Sequence, residues 1–506
     1  MARPMIATVL RGPGVFALLL AVSLACRWMA FVPAVIDTDE GLYMLQAREW
    51  LRGNWPFVAV WDMHPPGAPA LIALALALAG ESIRSVRLLG AFCVALAGWA
   101  LHLLVRAAGG VPAIALTAGL AYVVLTPMFT GLATNTEILF APFVVGALAL
   151  ATRLARRALD HGEAPRLRDL VPIGLLVGCG LVIKQVVVFE GCFAFALAVL
   201  LPWWRGVLAW RRVLALAGAY AALCATPILL LGATYLAMGE GATLWDALVE
   251  APLRYGLARL PMGLAAWVVV AELLTAAAPM LLAAVATVRP IAEHRRLLAL
   301  GWSWFAVAAL GVAAPGMFFR HYFLMLLPPL GLLAALGAWR LAATLWPARD
   351  RAAVALLVGL LALDAWRMDA APRLLDGRGL YQPDPVRQVA AALRETVPAG
   401  SRVFMMNYHA VVLVLAEMNV ATRFAFPAQL SGRFFRALPV DADLELARVL
   451  AAGPAAIIVD RGWMHTLRRE AIGMVEEALA ARYALAAAVA EERGPVEIWR
   501  RRDPAE

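Results

Sequence analysis

Long apolar runs separated by short arginine-containing loops dominate the first 370 residues. Eleven of these runs are candidates to cross a membrane, since a span needs about 20 mostly apolar residues. From about residue 380 the pattern changes to short alternating elements, which predict helices at 385–395, 444–452 and 467–481, strands at 402–408 and 455–460, and a hairpin within 484–500. The eleven runs lie at about 14–36, 86–105, 111–129, 137–152, 171–183, 186–202, 213–236, 263–288, 298–315, 322–339 and 353–368.

The predicted fold class is therefore mainly α. We expect a polytopic transmembrane helical bundle over 1–370, with a long first outer loop that carries juxtamembrane helices, followed by a small soluble α/β domain over 371–506. Composition supports this prediction, because the 506 residues are 63% hydrophobic and 16% charged, against roughly 45–50% and about 25% in soluble proteins. Soluble and disordered classes are thereby excluded.

Charge and cysteine usage narrow the function classes. The net charge of +9 arises among the predicted spans, so it reports membrane topology and does not indicate nucleic acid as a partner. The five cysteines lie in apolar stretches without CxxC spacing. We therefore expect neither a metal cluster nor a disulfide framework.

Arginine placement decides the topology. If the short apolar stretch 68–80 does not cross, four arginine clusters near 153–168, 205–212, 289–296 and 340–351 lie on the N-terminal, cytoplasmic side. If it crosses, all four face outward, against the positive-inside rule. We therefore predict that 37–84 is an outer segment with interfacial or re-entrant helices, that 171–202 is a hairpin with Lys184 at its outer tip, and that the C-terminal domain is extracytoplasmic.

The N-terminus imitates a signal peptide, with Arg3 and Arg11 before an apolar run. That run continues past Arg27 to Ile36, which is long enough to span. We expect a retained first helix.

Polar residues that this topology brings to the outer face form a candidate site. The segment after the first span reads Asp37-Thr-Asp39-Glu40-Gly41-Leu-Tyr43 and later Asp62-Met-His64-Pro65-Pro66-Gly67. A carboxylate can take the proton of an attacking hydroxyl, while Lys, Arg or His stabilises a departing phosphate. Later spans would contribute the remaining members, which are Asn135, Glu137, Lys184, Arg320, His321 and Tyr322.

Structural interpretations of the same residues stay open. Thr38 or Asp39 would cap a helix that begins at Glu40, Glu137 would be a first-turn charge favoured by the helix dipole, and Arg320 with His321 would be interfacial anchors. For Lys184, a functional role is favoured over a structural one. It is the only lysine among 44 basic residues, so 44 − 1 = 43 are arginine, and a compact ammonium differs chemically from a planar guanidinium.

In order and spacing these motifs resemble the GT-C superfamily of integral-membrane glycosyltransferases. The branch contains protein O-mannosyltransferases, lipid A aminoarabinose transferases and lipopolysaccharide-core galacturonosyltransferases. The residues that carry the resemblance are Asp39 to Tyr43, His64 to Gly67, Thr134-Asn135-Thr136-Glu137, Gly174 to Gly178 running to Lys184, His321-Tyr322-Phe323 before Pro328-Pro329, Arg402-Val-Phe404, and Ala421-Thr422-Arg423-Phe424.

The resemblance implies a polyprenyl-phosphate sugar as donor and an inverting transfer that needs neither metal nor cofactor. It assigns the base to Asp39, with Glu40 beside it as a catalytic residue and Asp37 as a competitor for the base role. Lys184, His64, Arg320 and His321 would bind the donor phosphate. Tyr43, Asn135 and Glu137 would contact substrate.

We therefore expect an inner-membrane glycosyltransferase with a cytoplasmic N-terminus and a periplasmic C-terminal domain. It would modify a hydroxyl of an envelope glycolipid, polysaccharide or protein, among membrane lipids and without nucleic acid. The alternatives are a lipid or solute transporter or flippase, whose buried charges also mark permeation paths, and a non-catalytic scaffold for envelope assembly.

Overall fold

The computed structural model describes residues 12–256, 259–288, 290–427 and 429–502. Arg3, Arg11 and Arg289 lie outside this range. The chain forms two compact units, each of which gathers separate stretches of sequence: Met1–Ala30 with Arg87–Ala233 and Leu260–Leu375, and Phe31–Val86 with Thr234–Arg259 and Asp376–Glu506. The predicted division into 1–370 and 371–506 groups the segments 31–86 and 234–259 differently.

Helices make up most of the described chain. In chain order they are α1 (Gly12–Cys26), α2 (Thr38–Leu51), α3 (Gly67–Ala79), α4 (Ile83–Ala107), α5 (Pro112–Leu125), α6 (Thr136–His161), α7 (Leu167–Leu181), α8 (Val187–Trp204), α9 (Trp210–Ala237), α10 (241–255), α11 (Met262–Thr275), α12 (Ala277–Val288), α13 (Ala292–Ala313), α14 (Arg320–Leu345), α15 (Asp350–Asp376), α16 (Pro385–Thr396), α17 (Val411–Leu415), α18 (Ala442–Ala451) and α19 (Arg469–Arg482).

The chain is a multi-pass membrane protein. Among the described residues, α4, α6, α8, α9, α13 and α14 are long and apolar enough to cross a bilayer. The pair α11 and α12, bent by 78° at its break, would be a seventh if it forms one span. The helices α1, α3 and α5 are apolar but shorter. The predicted number of eleven spans stays a prediction.

The first predicted span is wrong in its extent. Helix α1 ends at Cys26 and is followed by a short 3₁₀ turn, Trp28–Phe31, where the sequence predicted one run to Ile36. The buried guanidinium of Arg27 donates to the carbonyl oxygens of Gly131, at 2.5 Å, and Leu132, at 3.0 Å. A buried cation with backbone partners ends the helix at this point, and Pro33, which has no N–H, disfavours its resumption.

The predicted hairpin near 171–202 is present. Helix α7 ends at Leu181 and α8 begins at Val187, so Lys184 lies in the connecting turn. Gly180 lies at the end of α7, where an added Cβ would be 2.9 Å from a methyl of Val187. The two helices therefore approach closely at the turn that carries the lysine.

The second unit contains a five-stranded sheet of order β2-β1-β3-β5-β4. Strand β1 pairs in parallel with β2 and β3, whereas β5 is antiparallel to β3 and β4. The predicted helices and the two predicted strands are confirmed with small shifts of their ends, and the hairpin is β4 and β5. The strands are β1 (Arg402–Met405), β2 (Asn419–Val420), β3 (Ala456–Asp460), β4 (Tyr483–Glu491) and β5 (Gly494–Arg501).

Candidate functional site

The first turn of α2 carries the acidic pair. Asp37 is the N-cap, and its side chain accepts a hydrogen bond from the backbone N–H of Asp39 at 3.1 Å. The prediction that Thr38 or Asp39 caps a helix starting at Glu40 is therefore wrong: the helix starts two residues earlier, at Thr38. Asp37 satisfies a backbone donor that the helix itself leaves unpaired. Asp39 and Glu40 then occupy the first turn, where the helix dipole favours negative charge.

Gly41 follows the acidic pair because α2 approaches α17 closely at that point. A Cβ at Gly41 would lie 3.1 Å from the Cβ of Val411 and 3.2 Å from its backbone nitrogen. Both contacts are tighter than ordinary van der Waals spacing, so any side chain would displace one of the two helices. The glycine thus lets the helix that carries Asp39 pack against the C-terminal segment of the same unit.

Arg48 fixes the far end of α2 to the same segment. Its side chain is 1% exposed, and its two terminal nitrogens donate to the carbonyl oxygens of Leu413 and Met418, each at 2.7 Å. The guanidinium also pairs with Glu49 at 3.0 Å. These carbonyls lie at and just beyond the C-terminal end of α17, which attracts a cation. Gly41 and Arg48 together set the position of α2.

His64 is held by a carboxylate two residues before it. Its Nδ1 lies 3.0 Å from Oδ2 of Asp62, and Asp62 is buried. The His64 ring stands perpendicular to the ring of Tyr43, with centroids 6.1 Å apart. Because a carboxylate at Nδ1 fixes the proton on that nitrogen, Nε2 is the nitrogen available to a ligand.

Lys184 forms a buried ion pair with Glu137. The Nζ atom lies 2.5 Å from Oε1 of Glu137, and the two side chains are 5% and 1% exposed. Thr136 donates to the second carboxylate oxygen at 3.0 Å. Glu137 lies in the first turn of α6, and Asn135 is buried at the N-cap of that helix. The charge of Lys184, which lies in the turn between α7 and α8, is thus compensated by a carboxylate on α6 of the same unit.

An aromatic ring covers the lysine. Nζ of Lys184 lies 4.2 Å from the ring centroid of Tyr322, a cation–π distance. The ring of His321 packs edge-on against Tyr322, with centroids 4.9 Å apart. Arg320 projects differently, since its Nε lies 3.3 Å from Oε2 of Glu272 on α11. Arg320 therefore enters a second ion pair.

The predicted residues divide between the two compact units. Asp39, Glu40, Tyr43 and His64 belong to the second unit, and Asn135, Glu137, Lys184, Arg320 and His321 belong to the first. Sequence reasoning missed the partners Asp62, Glu272 and Arg48. Asp62 carried a usable signal, because an aspartate two residues before a histidine is within hydrogen-bonding reach. Glu272 pairs with Arg320, 48 residues away, and Arg48 donates to carbonyls more than 360 residues away, so the sequence gave no signal for these contacts.

A partly buried histidine, His409, precedes α17, and its Nδ1 atom is inaccessible to solvent. Burial lowers the pKa of His409 to about 4, although the charges of Asp384 and Asp37 oppose the shift. Asp384 is engaged in backbone hydrogen bonds, accepting from the N–H of Ala34 at 2.7 Å and from that of Val386 at 3.0 Å. His409 is therefore neutral at physiological pH.

Comparison with known proteins identifies the fold. Residues 63–230 match the family described as dolichyl-phosphate-mannose-protein mannosyltransferase, and this segment contains His64, Glu137 and Lys184. The crystal structure of ArnT from Cupriavidus metallidurans bound to undecaprenyl phosphate superposes with a TM-score of 0.56 at 15% identity, covering 95% of this chain and 97% of ArnT. The chain has a GT-C fold.

Two further structures support the same assignment of fold. ArnT of Cupriavidus metallidurans in the apo state gives a TM-score of 0.57 at 13% identity, with 96% of this chain and 98% of ArnT covered. The oligosaccharyltransferase AglB from Archaeoglobus fulgidus, in complex with an inhibitory peptide and a dolichol-phosphate, gives 0.50 at 13% identity, with 96% and 74% covered. No curated protein matches this chain in sequence. The predicted resemblance to the GT-C superfamily is confirmed.

Proposed function

We propose that this chain is a membrane glycosyltransferase that moves a sugar from a polyprenyl-phosphate donor to a hydroxyl of a cell-envelope acceptor. The match of residues 63–230 to the mannosyltransferase family carries the proposal. It is supported by a fold shared, over nearly the whole length, with a structure that holds undecaprenyl phosphate. A fold alone does not define a reaction, so the proposal also depends on the chemistry of individual residues.

Asp39 is the proposed base. The carboxylate takes the proton of the acceptor hydroxyl, the hydroxyl oxygen attacks the anomeric carbon from the side opposite the phosphate, and the bond from that carbon to the phosphate oxygen breaks. The configuration inverts, and polyprenyl phosphate leaves with the bonding electrons. Asp37 is the weaker candidate because it caps α2 through the N–H of Asp39. Base catalysis of this kind contributes about 10²–10⁴-fold.

Lys184 is the proposed partner of the donor phosphate, with His64, Arg320 and His321 as further candidates. An ammonium has three N–H donors, and Glu137 uses one of them. Lys184 can therefore bind a phosphate oxygen without leaving Glu137. Arg320 is already paired with Glu272, which makes it the weaker candidate. Tyr43, Asn135 and Glu40 are proposed to shape the substrate site, and no metal or cofactor enters the proposed step.

The decisive experiment pairs two aspartate variants. Purified protein is reconstituted into liposomes with a radiolabelled undecaprenyl-phosphate sugar and an envelope extract as acceptor. We expect Asp39→Asn to lose transfer by at least about 10²-fold, while Asp37→Asn keeps most of it. Normal transfer by Asp39→Asn would rule out Asp39 as base. Flux of lipid without release of polyprenyl phosphate would instead favour a transporter or flippase, and silent substitutions at Asp39 and Lys184 would favour a scaffold.

We also propose that the reaction takes place on the extracytoplasmic face, with the N-terminus in the cytoplasm. The four arginine-rich loops support this orientation through the positive-inside rule. In a cysteine-free background, Leu444→Cys, at a position 74% exposed, should react with a membrane-impermeant maleimide on intact cells. Arg156→Cys, in an arginine-rich stretch of α6, is the control and should react only after lysis.

A further inference from the structure

A cavity of about 450 Å³ lies in the second unit, and its lining includes none of the predicted catalytic, phosphate-binding or substrate-binding residues. Its walls come from residues 58–59 of the segment between α2 and His64, from the stretch 420–424 that begins with the last residue of β2, from Arg402 at the start of β1, and from α18. The first two walls are tied together, because the backbone N–H of Trp61 donates to the carbonyl oxygen of Arg423 at 2.8 Å. The cavity volume suits one or two sugar residues.

Three arginines and one glutamate line this cavity. Arg448 donates twice to Glu445, at 2.7 Å each, and Thr422 donates to the same carboxylate at 2.7 Å. Within the described residues, Arg402 and Arg423 have no carboxylate at ion-pair distance. The cavity therefore carries three positive charges against one negative charge. Glu445 pairs with Arg448 and also interacts electrostatically with Arg423, so one carboxylate faces three guanidinium groups.

The excess of positive charge is confined to the cavity. Residues 376–506 contain 16 arginines and 16 acidic residues, so the segment as a whole is neutral. A neutral segment that places three guanidinium groups and one carboxylate in one concavity concentrates positive potential there. Guanidinium is also the side-chain group best shaped to bind a carboxylate or phosphate through two parallel hydrogen bonds.

Apart from Thr422, the remaining lining residues are apolar. Val58 and Phe424 contribute to the walls beside the arginines, and the guanidinium of Arg423 lies 5.0 Å from the Phe424 ring centroid. Apolar walls beside arginine side chains suit a ligand that has both apolar C–H faces and an anionic group. A sugar with a carboxylate or a phosphate has this combination, whereas an inorganic anion uses only the charge.

We infer that this cavity binds an anionic sugar of the acceptor, one that carries a carboxylate or a phosphate. The inference rests on the proposed glycosyl transfer. The occupant is assigned to the acceptor because residues 58–59 lie five to six residues before His64, and α2 with Asp39 precedes them in the same compact unit. The donor, by contrast, is recognised through its polyprenyl phosphate.

Binding can be measured without any transfer reaction. Calorimetric titration of the full chain in detergent uses methyl glucuronide as the carboxylate probe, glucosamine 1-phosphate as the phosphate probe and methyl glucoside as the neutral probe. We expect the wild type to bind at least one anionic probe about tenfold more tightly than the neutral one, and more weakly at high salt. The preferred anionic probe identifies the group that the acceptor carries.

The double variant Arg402→Gln/Arg423→Gln should lose this preference by about tenfold or more. Its control is Arg469→Gln, which removes the same charge type at an exposed position on α19, outside the cavity. Equal binding of charged and neutral probes by the wild type, or unchanged binding by the double variant, would overturn the inference. Arginine-dependent binding without donor-dependent transfer in the liposome assay would overturn the proposed function and leave the anionic-sugar site standing.

Discussion

The backbone of Gly41 lies against Val411, so closely that a Cβ on the glycine would be 3.1 Å from the Cβ of the valine. The two residues are 370 positions apart in sequence but belong to one compact unit. The glycine in the acidic motif is thus explained by helix packing. It places Asp39, two residues earlier, in a helix whose position depends on α17.

This contact predicts the behaviour of Gly41→Ala. The added methyl should shift α2 by a few tenths of an ångström and lower kcat by about tenfold, since misplacement by 1 Å can cost about 10²-fold. Val411→Gly removes the opposing Cβ and should restore part of the loss in the double variant. Transfer rates of the single and double variants test this coupling.

The control for that pair is Gly218→Ala on α9, where an added Cβ has no heavy atom within 4 Å. Its transfer rate should equal that of the wild type. If Gly41→Ala were as active as this control, the packing of α2 against α17 would have no bearing on catalysis.

Arg48 should matter for stability. Arg48→Met leaves the carbonyl oxygens of Leu413 and Met418 buried without their donor, which costs about 1–3 kcal/mol for each unsatisfied group. Arg48→Lys should recover only part of this loss because an ammonium cannot reproduce the planar fork. Thermal unfolding of the purified protein measures both. Exposed Arg52, which shares the partner Glu49, gives the matched control Arg52→Met, and a shift as large as that of Arg48→Met would contradict the assigned role.

Variants of the buried ion pair between Lys184 and Glu137 distinguish an effect on stability from an effect on donor binding. Lys184→Met leaves a buried carboxylate unpaired and should destabilise the protein by about 3–5 kcal/mol. Lys184→Met/Glu137→Leu removes both charges and should recover most of that stability. Binding of undecaprenyl phosphate, measured on liposomes, should stay lost in both variants. Donor binding that returns together with stability would show that Lys184 serves only the fold.

His409 predicts an acid-sensitive second unit. Its pKa is about 4 in the folded protein and about 6.5 in an unfolded chain. The unfolded state therefore takes up the proton first, and stability present above pH 6.5 is lost as the pH falls toward 4. The unfolding temperature of His409→Gln should fall less over this interval than that of the wild type. His465→Gln, at an exposed histidine, is the control and should follow the wild type.

Local pattern was sufficient to predict the C-terminal elements. Helices α16, α18 and α19 and strand β3 all lie where the alternation of apolar and polar positions placed them, because each has one buried face. The two-residue strand β2 was missed, since Asn419 and Val420 are too short a segment to show a period. The lone lysine and the acidic pair were found through their rarity at a membrane.

The pairings between these residues could not be predicted. Arg27 interrupts the first apolar run because it bonds to carbonyls about 105 residues later, and no window of sequence contains both partners. Glu137 joins Lys184 across 47 residues for the same reason. Individual residues could be singled out by their chemical type, whereas the contacts that position them depend on the tertiary fold.

The hydrogen bond from Arg48 to Met418 spans 370 residues, which has a consequence for biosynthesis. Helix α2 leaves the ribosome early, but its carbonyl partners, Leu413 and Met418, are made only after more than four-fifths of the chain has been translated. A product truncated before residue 411 would contain α2 but lack the carbonyl oxygens of Leu413 and Met418 that bind Arg48. Completion of the second unit is therefore a late event of synthesis, and termination anywhere in the membrane helices yields a chain that lacks the contacts holding α2 and Asp39 in place.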